Sequence, residues 1–195
     1  MTKTLVIDTE TTGLPPLYYG KFLDPITHYE KWGNKCRAVQ IAWLLYDDGN
    51  LIKQESHIIK PNGYYVPEES TRIHGISHEK AEKEGIELGF VLSMLKSDII
   101  TADTIVAHNM EFDYNIIMYE WFLEDKETID IWKNTKRVCT MKDFLKNKNM
   151  KWPKLSELYN CLFNKDFENA HNALADASAC ADIYFTLTKN KLKIA

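Results

Sequence analysis

The run Thr4-Leu5-Val6-Ile7 leads without a break into Asp8-Thr9-Glu10-Thr11-Thr12-Gly13. Four β-branched or apolar residues in a row read as a buried strand. Asp8 and Glu10, two apart on extended backbone, project from one side of its carboxyl end. Like charges this close repel, and a fold rarely keeps both ionised without a cation to offset them. A solvated turn is the competing reading, because Thr-Thr-Gly is ordinary turn chemistry. Gly13 permits either a sharp exit of the chain or a close approach of backbone to a ligand. What decides between the readings is whether later segments bring partners to the acidic pair.

Two later helices each offer one more acid. Thr104-Ile105-Val106-Ala107 reads as a second short buried strand, followed by His108-Asn109 and a helix from about Met110 to Leu123, with Asn109 as its N-cap. Asp113 falls in the first turn. Its line continues through Ile117 and Trp121 at i+4 and i+8, which turns it inward; a helix-dipole acid would explain its position but not that orientation. The last helix is predicted from about Ala173 to Thr188, where Asp176 starts a line through Cys180, Ile183 and Leu187. His171 lies five residues before Asp176, about 140° away around a helical cylinder. The two converge only if His171 precedes the helix, on the incoming loop, where it is placed to act as a general base. Asp8, Glu10, Asp113 and Asp176 can therefore gather at one end of the sheet. All-oxygen ligation favours Mg²⁺ or Mn²⁺ over zinc. Two such ions suit in-line displacement at a phosphodiester, with His171 taking the proton of the attacking water.

The remaining chain is consistent with one compact domain spanning residues 1–195. Net charge is −4, which excludes a global basic field for long duplexes. Charge is uneven, though: between Lys133 and Lys154 eight basic residues stand against Asp143 alone, a local +7 that is either a solvated Lys-rich face or a phosphate-binding wall. The four cysteines show no metal-ligand spacing and read as small buried hydrophobes in a reducing compartment. With no signal-peptide layout and no run of ~18 apolar residues, an intracellular, non-membrane protein is expected. Leu14 to Arg37 shows no clear periodicity. Its Tyr18, Tyr19, Phe22, Tyr29 and Trp32 either stack on bases over the site or pin the segment to the core. Val39–Tyr46 and Leu51–Lys60 read as strands joined by a hairpin turn at Asp47–Asn50. Helix starts are expected near Pro67 and at Ser77, and a helical repeat runs from Gly89 to Thr101. After a charged turn, Arg137–Thr140 reads as a short fifth strand, with helical pieces at Lys142–Lys146 and Lys154–Leu162.

Three stretches together resemble the motifs of the DEDDh, or DnaQ-like, 3′→5′ exonucleases, a group that includes the proofreading subunit of bacterial DNA polymerase and RNase T. They are Asp-Thr-Glu-Thr-Thr-Gly at 8–13, His108-Asn109 with Phe112-Asp113, and His171 with Asp176, four residues lying between them. The spacing at His171 matches the histidine subgroup, and the resemblance spans about residues 3 to 188. It implies an RNase H-like α/β fold: a mixed five-stranded sheet of order 3-2-1-4-5, strand two antiparallel, flanked by helices. It also implies two Mg²⁺ or Mn²⁺ ions on Asp8, Glu10, Asp113 and Asp176, His171 as general base, and 5′-monophosphate products. Ile73-His74-Gly75-Ile76 resembles the family's His-Gly-Ile segment, so His74 and Glu69 would contact substrate. Thr11, Thr12, Gly13 and Leu14 would cradle the terminal nucleotide, and His108 and Asn109 join the substrate-contacting set. Leu14–Arg37 is longer than the connection in the proofreading subunit.

Three functions follow for testing. The first is a metal-dependent 3′→5′ exonuclease on single-stranded or frayed DNA, with a polymerase or replication protein as a partner. The second is an RNase T-like exoribonuclease; only a contact to the 2′-hydroxyl separates the two. The third is a non-catalytic, polymerase-associated binding module, which would have no use for four acids and a histidine together.

Overall fold

The computed structural model describes residues 2–125, 129–145 and 152–192. In chain order the elements are β1 (Lys3–Thr11), β2 (Leu17–Tyr18), β3 (Lys21–Phe22), α1 (Tyr29–Trp32), β4 (Ala38–Asp47) and β5 (Asn50–Ile58). Then come α2 (Glu68–His74), α3 (His78–Glu84), α4 (Leu88–Ile99), β6 (Thr104–Ala107), α5 (Met110–Glu124) and α6 (Ile129–Asn134). The chain closes with β7 (Lys136–Cys139), α7 (Thr140–Leu145), α8 (Leu155–Phe163) and α9 (Ala173–Leu192). The main sheet runs β5-β4-β1-β6-β7. β4 is antiparallel to both neighbours, while β1-β6 and β6-β7 are parallel. Counting only these five strands, that is the expected order 3-2-1-4-5 with the second antiparallel.

Alternation along β1 explains the layering. Leu5 and Ile7 point into a large core with Trp43, Val91, Leu95, Ile116 and Trp121, which α4 and α5 cover. Val6 points the other way, against Ala177, Cys180 and Ala181 of α9. Those small α9 residues let the helix lie close across the sheet. β1 is thus buried on both faces, and a charge in its interior would be costly. Its carboxyl end, where the core stops, is where carboxylates can sit. Asp8 and Glu10 share Val6's parity and belong to the α9 side, whereas Thr9 belongs to the α5 side.

Local signals hold where they were sharp. Asp48 and Gly49 adopt positive φ (46° and 81°) in the β4–β5 turn. Ser77 caps α3, its hydroxyl accepting from the Lys80 N–H at 3.1 Å. Two readings are corrected. Residues 14–37 are not irregular throughout: they hold the β2–β3 hairpin and the single turn α1. Trp32 is fully buried there, its indole N–H on Leu23 O, its ring 5.1 Å from Tyr119; Tyr18 and Tyr19 are exposed. The segment is thus pinned to α5 at one end and displays aromatics at the other. The charged turn before the fifth strand also contains α6, whose Ile129 and Trp132 fill the core; six residues are too few to show a period. Of the cysteines, Cys36 and Cys180 are buried as expected, but Cys161 faces outward. Among the described residues no helix is long and apolar enough to cross a membrane.

Candidate active site

The sheet brings the predicted acids together at the carboxyl end of β1. Glu10, His171 and Asp176 offer ligand atoms that all lie within 4.8 Å of one another. Asp8 and Asp113 belong to the same cluster, because the charges of Asp113, Asp176 and Glu10 all act on Asp8. The register shows how this is achieved. Glu10 is paired with Gln40 on β4, and cross-strand partners share a face. The Gln40 amide oxygen accepts the backbone N–H of Ala173, the first residue of α9, at 3.1 Å. That bond sets the start of α9 beside Glu10, and Asp176 follows within the first turn. Asn172 caps the helix by accepting from Leu174 and Ala175 N–H groups. His171 lies outside the helix at φ 67°, as convergence with Asp176 requires, and its N–H donates to Asp176 Oδ2 at 3.2 Å.

Asp113 arrives from the opposite layer. It is 2 % exposed, on the same line as buried Ile117 and Trp121. The Thr9 hydroxyl, turned to the α5 side by strand alternation, donates to Asp113 Oδ1 at 2.9 Å. A bulge falls directly after Glu10, between Glu10 and Thr11, where it bends the strand end away from the ladder.

The electrostatics are those of carboxylates short of a cation. Burial, then Asp113, Asp176 and Glu10, raises the Asp8 carboxyl well above the ordinary range. Burial and then Asp176 push Glu10 up to about 8. Burial lifts Asp113 to about 7 against the opposing Thr9 hydrogen bonds, and lifts Asp176 to about 6 against the His171 N–H. Asp176 Oδ1 is buried without a hydrogen-bond partner among the described residues. An oriented, orphaned carboxylate oxygen inside a like-charged cluster is what a divalent cation would satisfy.

The other predicted site residues divide. His74 is buried, its Nδ1 accepting the Ile76 N–H at 3.1 Å, which leaves the ring proton on Nε2. His74 and His171 both line an open cavity of about 650 Å³. Leu14 is exposed. Thr11 and Thr12 use their hydroxyls within the protein, on Gly13 O and on the Arg37 N–H. The close approach that needs Gly13 is to protein backbone: a Cβ there would meet Lys35 O at 2.8 Å. Glu69 is exposed in the first turn of α2. His108 is tethered within the protein: Nδ1 meets Thr140 Oγ1 at 2.9 Å and Nε2 meets Pro153 O at 3.1 Å. Asn109 does precede α5, but in the left-handed region (φ 64°) and without a side-chain cap bond. Of the basic run, Lys146, Lys148 and Lys151 lie outside the described residues. Arg137 sits over the Tyr114 ring at 4.0 Å and Lys142 pairs with Glu111, so neither side chain stands alone as a phosphate wall.

One buried pair was not foreseen. Arg37 donates through Nε and Nη2 to Glu120, at 2.9 to 3.1 Å, and Glu120 Oε1 also takes the Ala38 N–H at 2.7 Å. Arg37 is 7 % exposed and Glu120 1 %. Because Thr12 and Arg37 exchange backbone and hydroxyl bonds, this pair ties the end of the Asp8–Glu10 strand to the helix carrying Asp113.

A mixed sheet of this order, flanked by helices and with an acidic cluster at the end of its central strand, is an RNase H-like fold. More narrowly, a family model for the RNase T type, described as exonuclease, matches residues 5–184, and the chain belongs to that DnaQ-like exonuclease family. Its curated relatives include DNA polymerase III subunit epsilon of Pasteurella multocida, 28% identical over 193 residues, 96% of this chain and 68% of that protein. The Escherichia coli subunit of the same name is 26% identical over 201 residues, covering 100% of this chain and 75% of that one. Among solved structures, E. coli exonuclease I in complex with a dT13 oligonucleotide superposes with TM-score 0.76 at 18% identity, over 100% of this chain and 42% of that one. Exonuclease I from Methylocaldum szegediense gives 0.74, at 18% identity and 97% and 41% coverage. The chain spans less than half of these solved structures, and at such identity they share its fold.

Proposed function

We propose that the chain is a metal-dependent 3′→5′ exonuclease releasing nucleoside 5′-monophosphates from single-stranded or frayed DNA ends. The convergence of Glu10, His171 and Asp176 within 4.8 Å, beside Asp8 and Asp113, carries this reading. A donor set of carboxylates fits two hard cations, Mg²⁺ or Mn²⁺, on Asp8, Glu10, Asp113 and Asp176. Bound there, the ions would activate water and offset the charge that builds on the phosphate. His171 would accept the proton of the attacking water at a ring nitrogen, and its backbone bond to Asp176 keeps that ring at the cluster. The Thr9 hydroxyl, bonded to Asp113 Oδ1, would hold that carboxylate in one orientation. The cavity that His74 and His171 line would take the terminal nucleotide, and the Thr11–Gly13 backbone and Leu14, which follow Glu10 in the chain, would contact it. The polymerase-subunit names of the curated relatives support DNA as substrate and a polymerase as partner. Residues 1–195 would form one exonuclease domain.

End-labelled single strands with Mg²⁺ test this directly. A 5′ label should appear in a ladder that shortens stepwise, with mononucleotide products and a higher rate on DNA than on matched RNA. His171→Ala should lower kcat by roughly 10²-fold, the scale of a lost general base, with metal binding retained. A 3′-labelled strand degraded from its 5′ end, or unchanged kcat in His171→Ala, would contradict the mechanism.

A further inference from the structure

The β2–β3 hairpin and Trp152 face each other across a second cleft, of about 540 Å³. Lys21 and Phe22 form one wall, Lys142 and Trp152 another, and Asn109 and Glu111 the floor. The floor is the start of α5, the helix whose first turn carries Asp113. Phe22 packs edge-on against Phe112, with ring centroids 6.2 Å apart. The cleft therefore opens at the end of α5 that carries Asp113, and it shares no lining residue with the cavity that His74 and His171 line.

Its chemistry is unusual for this molecule. The chain has five tryptophans. Trp32, Trp43, Trp121 and Trp132 are at most 1 % exposed, whereas Trp152 is 61 % exposed. Two contacts lie beside it. The Lys142 ammonium lies 5.8 Å from the ring centroid, and the carbonyl of the next residue, Pro153, is bonded by His108. An aromatic face kept open to solvent and flanked by two lysines is the composition of a single-strand platform: bases stack on the ring and phosphates meet the cations. Among the described residues Glu111 is the one acid in the lining. It pairs with Lys142 at 3.4 Å, both side chains about half exposed, and an ion pair so exposed is weak enough for a phosphate to replace. Across the cleft, Tyr18 and Tyr19 at the hairpin extend the exposed aromatic surface.

We propose that this cleft is an upstream nucleotide subsite, in which a base on the 5′ side of the scissile bond stacks on Trp152 and its phosphates meet Lys21 and Lys142. The assignment rests on the exonuclease reading and adds a length requirement to it. A dinucleotide fills only the site at the acidic cluster; a longer strand also reaches the cleft.

The placement of the tryptophans provides the readout, since Trp152 alone is open to a quencher. With chelated protein, which cannot turn substrate over, a thymidine decamer should quench tryptophan emission and a thymidine dinucleotide should not. Trp152→Leu should remove the quench and raise KM for the decamer by roughly 10- to 100-fold, the scale of one lost base stack. The preference for decamer over dinucleotide in kcat/KM should then collapse. Lys21→Ala should reduce the salt dependence of decamer binding by about one phosphate contact. A decamer that leaves emission unchanged overturns the subsite and returns the cleft to a protein partner. So does a Trp152→Leu enzyme that keeps the parent's preference for length. Absence of turnover on either substrate, with the quench intact, would instead sink the exonuclease reading on which the subsite's role depends.

Discussion

Asp8→Asn is expected to produce a protein that melts at a higher temperature than the parent in the absence of divalent metal and cleaves roughly 10⁴-fold more slowly in its presence. Both effects have one cause. Burial and three neighbouring acids hold the Asp8 carboxyl well above its ordinary range, so ionising it in the folded chain is unfavourable. An unfolded carboxyl titrates near about 4. Between there and the raised values of the cluster, about 6 to about 8 for Asp176, Asp113 and Glu10, the folded state binds more protons than the unfolded one. Stability of the metal-free protein should therefore fall as pH rises through that window. Asparagine removes one of the repelling charges while keeping the shape, so the advantage of the variant should widen from about pH 5 to about pH 8. The same change takes away a metal-holding oxygen and with it the charge stabilisation the ions supply. Thermal melts with chelator at the two pH values, alongside single-turnover cleavage, check both halves. A variant that melts lower than the parent at the higher pH, or one that keeps its rate, would contradict this account of the cluster.

Arg37→Met should destabilise the fold by about 3–5 kcal/mol, the usual cost of stranding one member of a buried ion pair. The substitution leaves the Glu120 carboxylate 1 % exposed, with only the Ala38 N–H as a donor among the described residues. Burial already pushes that carboxyl up, and Arg37 is the main influence bringing it down. Arg37→Met combined with Glu120→Gln should recover much of the loss, because glutamine still accepts the Ala38 N–H and no charge remains buried. Denaturant titrations of the two single variants and the double variant give the coupling. Simple additivity of the two losses would show that the pair does not act as a unit. Since it joins the end of β1 to α5, Arg37→Met should also weaken metal binding in the fraction that folds.

The site was legible wherever one local rule fixed a side chain's direction. Strand parity put Asp8 and Glu10 on one side, and helical lines through Ile117 and Cys180 turned Asp113 and Asp176 inward. The angular argument correctly kept His171 outside α9. Thr9 was equally readable in principle: between two acids of one parity it must point the other way, to where Asp113 arrives. Gln40 and the Arg37–Glu120 pair were not readable, because their partners are 133 and 83 residues distant and no periodicity links them. The bond from His108 to Pro153 O was not readable either, because the 152–154 segment carries no local sign of returning to the end of β6. Residues 14–37 defeated periodicity since strands of two residues and a helix of four are too short to show any.

The central claim is that acids from β1, α5 and α9 share a pair of divalent ions. Calorimetric titration of Mn²⁺ into the metal-free protein tests it most directly, run in buffers of different ionisation enthalpy near about pH 6.5. The raised carboxyls of Glu10 and Asp113, at about 8 and about 7, carry protons there that bound metal must displace. The account predicts two Mn²⁺ per chain with net proton release, and loss of at least one ion in Asp113→Asn and in Asp176→Asn. Saturation by fewer ions with no proton released, or a stoichiometry that neither substitution changes, would contradict it.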